Sequence, residues 1–211
     1  MNRKLSLLKS LSLAALLCSA AAARADIAIY TSQADFLAAT SGHGVDTFDD
    51  LEVVPYASPL ARSAGAYSYR ASSGGDLFGA GAPGDVWLST NVRTDAITFS
   101  HFSGGVNAVG GNFFGSDITG SFIPGTNMIL TASDGTLTTT AYLNDTTVAS
   151  FVGFVSTTPL SSLVLRSGGL YWTTANNLTL AMASPVPEPA GYSLLLAGLG
   201  LFGSLARRRT G

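Results

Sequence analysis

The densest group of chemistry-bearing side chains in this chain is the acidic run Asp46, Asp49, Asp50 and Glu52. Read as a strand, the run puts Asp46, Asp50 and Glu52 on one face, and carboxylate oxygens grouped in that way suit Ca²⁺. It lacks the D-x-[DN]-x-[DN]-G spacing of an EF-hand loop, so a solvated acidic rim is the plainer expectation. Calcium is the one cofactor worth weighing, and no other is implied. Asp117, Asp134 and Asp145 read as turn residues. The two histidines offer little for catalysis. His43, between Gly42 and Gly44, reads as a loop residue, and His101 as the end of a core-facing row after Ile97 and Phe99. Nucleophilic catalysis needs a nucleophile, a base and an orienting acid, yet the chain has no Gly-x-Ser-x-Gly elbow, no His-Glu-x-x-His and no zinc-spaced cluster. Paired carboxylates could hydrolyse glycosides, but Glu52 is the sole glutamate between residues 26 and 184. No enzyme is expected.

Aromatic side chains are the other candidates, because flat apolar rings stack on sugars much as they pack in cores. Trp87 is expected in the core, while Tyr67 and Tyr69 share one strand face. Tyr171 and Trp172 follow Ser167-Gly168-Gly169 near a loop and form the candidate ligand-binding pair. Gly74-Gly75 and Gly104-Gly105 lack the Lys-Ser/Thr of a phosphate loop and read as turns.

The elements that must position these residues read as β structure. Gly, Ser, Thr and Ala dominate, and aromatic and β-branched residues come in short bursts without long helical periodicity. Residues 126–132 and 136–143 flank Ser133-Asp134-Gly135, a hairpin signal, and Asn144-Asp145 suggests a second turn into 148–156, which would complete a three-strand meander. Further strands are expected at 27–31, 45–48, 66–71, 86–90, 96–101, 106–114, 161–165 and 177–181, about eleven in all, giving an all-β, antiparallel two-sheet sandwich. Phe113, Phe151, Phe154, Leu163 and Leu165 should line its interior. One short helix near 32–40 is expected, capped by Thr31 or Ser32, with Asp35 in its first turn and Phe36, Leu37 and Ala39 as its buried stripe.

Both ends carry targeting patterns. Arg3, Lys4 and Lys9 precede an apolar run from 11 to 23, and Ala23-Arg24-Ala25 supplies the small-x-small site for signal peptidase, with cleavage before Asp26. Cys18 lies inside this peptide, preceded by Leu17 rather than a small residue, so a lipoprotein signal is not expected. At the other end Val186, Pro187, Glu188 and Pro189 precede an uncharged stretch, 190–206, and then Arg207, Arg208 and Arg209. An apolar helix closed by arginines is a membrane stop signal with the cations left in the cytoplasm. At about 1.5 Å per residue the stretch spans only roughly 25 Å, short for a permanent anchor. The chain thus divides into a signal peptide (1–25), a sandwich domain (26–184) and a C-terminal signal (185–211). The middle segment holds four arginines, no lysine and twelve acids, a net charge of −8, which disfavours nucleic acid and anionic lipid. It has no cysteine and therefore no disulfide.

The tail Val-Pro-Glu-Pro, apolar stretch and Arg cluster resembles the PEP-CTERM sorting signal of Gram-negative bacteria. That resemblance implies an exosortase-type processing protease as partner, transient anchoring through the 190–206 transmembrane helix, and delivery to the cell surface or extracellular polysaccharide. Tyr30-Thr-Ser-Gln-Ala-Asp-Phe-Leu-Ala-Ala39 with Val45-Asp-Thr-Phe-Asp-Asp50, Val106 to Phe114, and Phe151 to Leu165 are similar to segments of PEP-CTERM cargo domains. Those domains are held to be jelly-roll-like sandwiches related to carbohydrate-binding folds. Their final strand often bears an Asp-Asn pair where this chain has Asn176-Asn177-Leu178, a departure that tells against a calcium ligand there. Two roles follow as expectations. One is a non-enzymatic structural or adhesive surface protein; the other is a carbohydrate-binding module with calcium as a stabilising ion.

Overall fold

Alternation of apolar and polar residues governs several strands of residues 26–184, the segment that the computed structural model describes. In the strand Thr126–Ser133, Met128, Leu130 and Ala132 are buried while the residues between them are not. Such strands bury one face, and two sheets satisfy each other.

The first sheet runs β1 (Ile27–Tyr30), β13 (Phe151–Ser156), β9 (Ala108–Ser116), β15 (Trp172–Ala183), β7 (Asp85–Thr90), β6 (Leu77–Ala82) and β3 (Pro55–Tyr56). The short β10 (Phe122–Ile123) pairs with β9, and β2 (Thr40–Asp46) pairs with β15. The second sheet runs β12 (Thr138–Thr146), β11 (Thr126–Ser133), β14 (Ser162–Arg166), β8 (Ile97–Ser100), β5 (Tyr67–Ser72) and β4 (Leu60–Ala64). Every pairing is antiparallel. Phe113, Phe154, Leu88 and Leu178 from the first sheet meet Phe99, Leu130, Leu163 and Leu165 from the second in one buried cluster. The domain is an antiparallel two-sheet sandwich, and residues 26–184 enclose their own core.

All nine residues of β9 are buried, so its outer face is covered too. At one end the cover is α1 (Gln33–Ala38), capped by Ser32, whose Oγ accepts from the Asp35 N–H at 3.3 Å. Phe36 is the helix's one buried residue and packs on Phe151 and Ala108, its ring 5.5 Å from that of Phe151. Gly153 lies beneath it, where a Cβ would come within 2.3 Å of the Phe36 ring. At the other end Trp87, Phe114 and Phe122 cover the face through edge-on ring contacts.

The Asp134-Gly135 hairpin forms as expected: Asp134 Oδ1 accepts the N–H groups of Thr136 and Leu137 at 2.8 and 2.7 Å. Other expectations need correction. Leu37 is exposed and Ala39 only half-buried, because a six-residue helix touches the sheet at one turn. The three-strand meander does not form. Asn144 and Asp145 stay within β12, the chain turns at 147–150, and β13 crosses to the first sheet beside β1 and β9. Phe151 is buried, but on the outer face under the helix. β4 and β6 were not expected, since Leu-Ala-Arg-Ser-Ala and Leu-Phe-Gly-Ala-Gly-Ala carry little apolar periodicity. His43 lies inside β2, not in a loop, and His101 is exposed just beyond β8 with a positive φ of 56°. The acidic run is no strand: β2 ends at Asp46 and the chain turns through Phe48–Leu51. No helix among the described residues is long and apolar enough to cross a membrane, and the 190–206 helix lies outside them.

Because Gly153 makes room for Phe36, Gly153→Ala should destabilise the domain by about 1–3 kcal/mol and Phe36→Ala by about 3–5 kcal/mol in urea denaturation. The alanine at 153 should cost measurably less once Phe36 is already Ala; equal costs in both backgrounds would mean that the two side chains do not compete for that space.

Candidate functional site

The end of β2 delivers Asp46 to a position only 4% exposed, where a carboxylate needs compensation. Arg62, from β4 of the other sheet, supplies it. Its Nε donates to Asp46 Oδ2 at 2.9 Å and its Nη2 to Oδ1 at 2.5 Å. The same guanidinium reaches Asp50 in the following turn, Nη1 to Oδ2 at 2.8 Å and Nη2 to Oδ1 at 2.6 Å. Tyr69 of β5 donates its hydroxyl to Asp46 Oδ2 at 2.6 Å, and the Phe48 N–H donates to Oδ1 at 3.0 Å. Arg62 also lies 5.4 Å from the centre of the Phe48 ring. One arginine therefore joins the two sheets and the turn between them.

The electrostatics follow from this geometry. The Arg62 hydrogen bonds hold the Asp50 carboxyl below its ordinary pKa. Burial works against the charge of Arg62, but its bonds to Asp50 and Asp46 outweigh that and raise its pKa. Burial first, and then the neighbouring Asp46, push the Tyr69 phenol upward. The group is fully paired and presents no activated nucleophile, so what it does is position.

Around it opens a polar cleft of about 790 Å³, walled by β2, β4, β5 and the end of β8. Asp46, Asp50, Arg62, Tyr69, Arg70 and His101 all line it. Of the calcium candidates, Asp46 and Asp50 come together here, but on Arg62; Glu52 is exposed, and its carboxylate does not line the cleft. No three acidic, histidine or cysteine side chains among the described residues are grouped to hold a metal. A calcium ion on Asp46 and Asp50 would have to displace the guanidinium.

The aromatic candidates separate. Trp172 opens β15 half-buried, its Nε1 donating to the Asn91 carbonyl at 3.3 Å. It lines a second, small cleft of about 170 Å³ with Phe78, Ala80, Ser89, Asn91 and Asp117. Thr90 lines this cleft too, and its Oγ1 is the one buried side-chain oxygen or nitrogen without a partner among the described residues. Tyr171 is half-buried but is not part of the cleft wall, so the two rings do not share one concave face. Trp87 packs in the cluster with Phe114, donating its Nε1 to the Gly120 carbonyl. Asp117 is a turn residue as expected, accepting from the N–H groups of Thr119 and Ser121, and these bonds, with that of the Thr119 hydroxyl foremost, hold its carboxyl low.

Sequence reasoning missed Arg62 and Arg70. The available signal was scarcity: with four arginines among residues 26–184, each is worth tracing to an acid, but a partner sixteen residues away leaves no local pattern. The signal-cleavage residues Ala23 and Ala25, the sorting residues Val186, Pro187, Glu188 and Pro189, and Arg207, Arg208 and Arg209 lie outside the described residues.

Comparison with known proteins supplies the tail's identity. Residues 185–209 match the model of the PEP-CTERM protein-sorting motif. No curated protein matches the chain. A solved structure, that of TmCBM61 in complex with β-1,4-galactotriose, is 14% identical and covers 54% of this chain and 88% of its own, with a TM-score of 0.31. That likeness is too slight to bear on function.

Arg62→Leu strands a buried carboxylate and should cost on the order of 3–5 kcal/mol in chemical denaturation, whereas Asp50→Asn, at the solvent end, should cost under about 1 kcal/mol. The lowered carboxyls of Asp50, Asp117 and Asp134 give stability that is present above about pH 4, the unfolded value, and lost as pH falls below it. The raised phenol of Tyr69 gives stability that is present below about pH 10 and lost as pH rises beyond it. Melting temperature should be flat between those limits and fall on both sides. In Tyr69→Phe the alkaline fall should begin later, and an unchanged alkaline limb would place the titration elsewhere.

Proposed function

From a chain that carries the PEP-CTERM sorting motif, we propose an exported protein that is anchored briefly through its tail, cut near Glu188-Pro189 and delivered to the cell surface or extracellular polysaccharide. The observation that carries this reading is the motif at residues 185–209. Signal peptidase and an exosortase-type protease are its processing partners. The sandwich domain then serves a non-enzymatic, adhesive role in contact with a hydrated polymer.

The surface of the second sheet supports the adhesive part. Leu163, Leu165, Ile97, Phe99, Leu130 and Ala132 face the core, so their neighbours in sequence face outward. Register then sets Thr138, Ser133, Ser162, Ser100 and Arg70 side by side across five strands. The adjacent row is Thr140, Thr131, Val164, Thr98 and Ser72. Strands about 4.8 Å apart thus offer a flat lattice of hydroxyl donors and acceptors, suited to many shallow contacts with a polysaccharide rather than one deep one.

A second reading, a carbohydrate-binding module in the strict sense, is favoured by the Trp172 cleft, where a half-buried indole lies with Asn91 and Asp117. Tyr171 would take no part in that cleft. Calcium on Asp46 and Asp50 adds nothing to either reading, and melting curves with calcium and with chelator should coincide.

Mass spectrometry of the exported form should find Asp26 at its N-terminus and no Arg207–Arg209, and Glu188→Ala should leave the tail uncut. An intact C-terminus on the released protein, or unchanged release of the variant, would refute the sorting reading. Retention of the 26–184 domain on immobilised exopolysaccharide from the producing cells tests the adhesive role. Retention that Trp172→Ala leaves intact favours the flat face, retention that it abolishes favours the strict module, and no retention refutes both.

A further inference from the structure

The hydroxyl row across the second sheet ends at Arg70, on the outward face of β5, and Arg70 lines the same cleft as the Arg62 group, whose Arg62 and Tyr69 leave the opposite face of the β4–β5 edge. Its guanidinium has no hydrogen-bond or ion-pair partner among the described residues, whereas that of Arg62 is fully engaged by Asp46 and Asp50. Next to it stands His101, which follows Ser100, the residue opposite Arg70 in the ladder. The Ser100 hydroxyl lies 3.0 Å from His101 Nδ1, which leaves Nε2 without a partner among the described residues. His101 is held there in a left-handed backbone conformation, φ 56°, which few non-glycine residues adopt and which ends β8 at the cleft's edge. An unpaired guanidinium and an unpaired ring nitrogen therefore stand on one side. On the other side is Asp50, 69% exposed at its side chain; each of its oxygens receives one bond from Arg62 and keeps a lone pair.

Charge narrows the class of ligand. The domain as a whole carries −8, which repels an anionic polymer over most of its surface. In this cleft the two carboxylates of Asp46 and Asp50 are balanced by Arg62 and Arg70. Here a ligand carboxylate meets a free guanidinium without a net opposing charge. A neutral sugar would use Asp50 as acceptor for its hydroxyls but would leave Arg70 idle. A sugar acid uses both: hydroxyls donate to Asp50, and the carboxylate accepts from Arg70, a planar donor whose fork suits it.

We propose that the cleft between Asp50 and the Arg70–His101 pair binds a carboxylate-bearing sugar unit of an acidic polysaccharide whose neighbouring units lie along the hydroxyl rows of the second sheet. This rests on the reading of the domain as a polysaccharide-binding one. Arg70 is the residue that sets specificity, and Asp50 orients the ring.

The test titrates the 26–184 domain with tetragalacturonate and with the same oligosaccharide after reduction of its carboxyl groups to alcohols, by isothermal calorimetry. The carboxylate form should bind and the reduced form should bind at least about tenfold more weakly, as loss of a charge-assisted hydrogen bond requires. Arg70→Gln should weaken tetragalacturonate by a similar factor with little effect on the reduced form, and His101→Gln should weaken it less. Trp172→Ala should leave both titrations unchanged, and the melting temperature of Arg70→Gln should match that of the parent, since Arg70 is exposed. Equal affinity for the two oligosaccharides, an Arg70→Gln variant that binds as the parent does, or no binding of tetragalacturonate by a domain that is retained on the producer's exopolysaccharide would each overturn the assignment. The last result would leave the adhesive reading standing; loss of that retention itself would remove the reading instead.

Discussion

A single arginine bridging two sheets is the constraint on which the rest of this domain depends. Asp46 sits at the end of a strand of the first sheet and Arg62 in an edge strand of the second, and their bidentate contact fixes how those sheets close on one side. The backbone shows how tight that closure is: a Cβ on Gly44 would lie 2.0 Å from the Ala64 carbonyl oxygen. Burying an ion pair returns little net stability compared with an apolar pair of the same shape. Its effect here is geometric. With Asp46 held by Arg62, Tyr69 and the Phe48 N–H, the turn at Phe48–Leu51 has one place to go, and the polar cleft has a defined wall.

What could be read in the sequence was local. Ser32 with Asp35 marks the helix start, and Asp134-Gly135 marks the hairpin because the Asp carboxylate satisfies the N–H groups of the two residues beyond Gly135. Leu163 and Leu165 are legible as core because they alternate with the less buried Ser162, Val164 and Arg166, and Phe113 and Phe154 because they are large aromatics in apolar, strand-like runs. What could not be read was which sheet a strand joins. β13 follows β12 after a tight turn, which locally predicts a hairpin, but its inward Phe154 completes the core from the first sheet. β4 and β6 escaped because their few large apolar side chains give no period, although their backbones make full ladders.

The sites divide in the same way. The acidic run was visible, but its partner was not, since nothing near Asp46 announces an arginine sixteen residues on. Trp172 was visible as an aromatic near a loop and does line a cleft; Tyr171, its neighbour, does not, because successive residues at the start of a strand point apart. The tail is the opposite case. Its motif is linear, so sequence alone identifies it, and residues 185–209 match the sorting-motif model. Address and proposed binding surface are written in different languages within one chain: the address in consecutive residues, and the proposed surface in residues that only pairing of strands brings together.

That surface can be mapped directly. Backbone amide shifts of the 26–184 domain, followed by NMR during addition of fragmented exopolysaccharide from the producing cells, report where the polymer lies. The account predicts that shifts concentrate at 47–50, 61–63, 68–70 and 98–101 and continue along the outward residues of β14 and β11. Shifts confined to the outer face of the first sheet around Asn91 and Asp117, or no shifts at all, would contradict it.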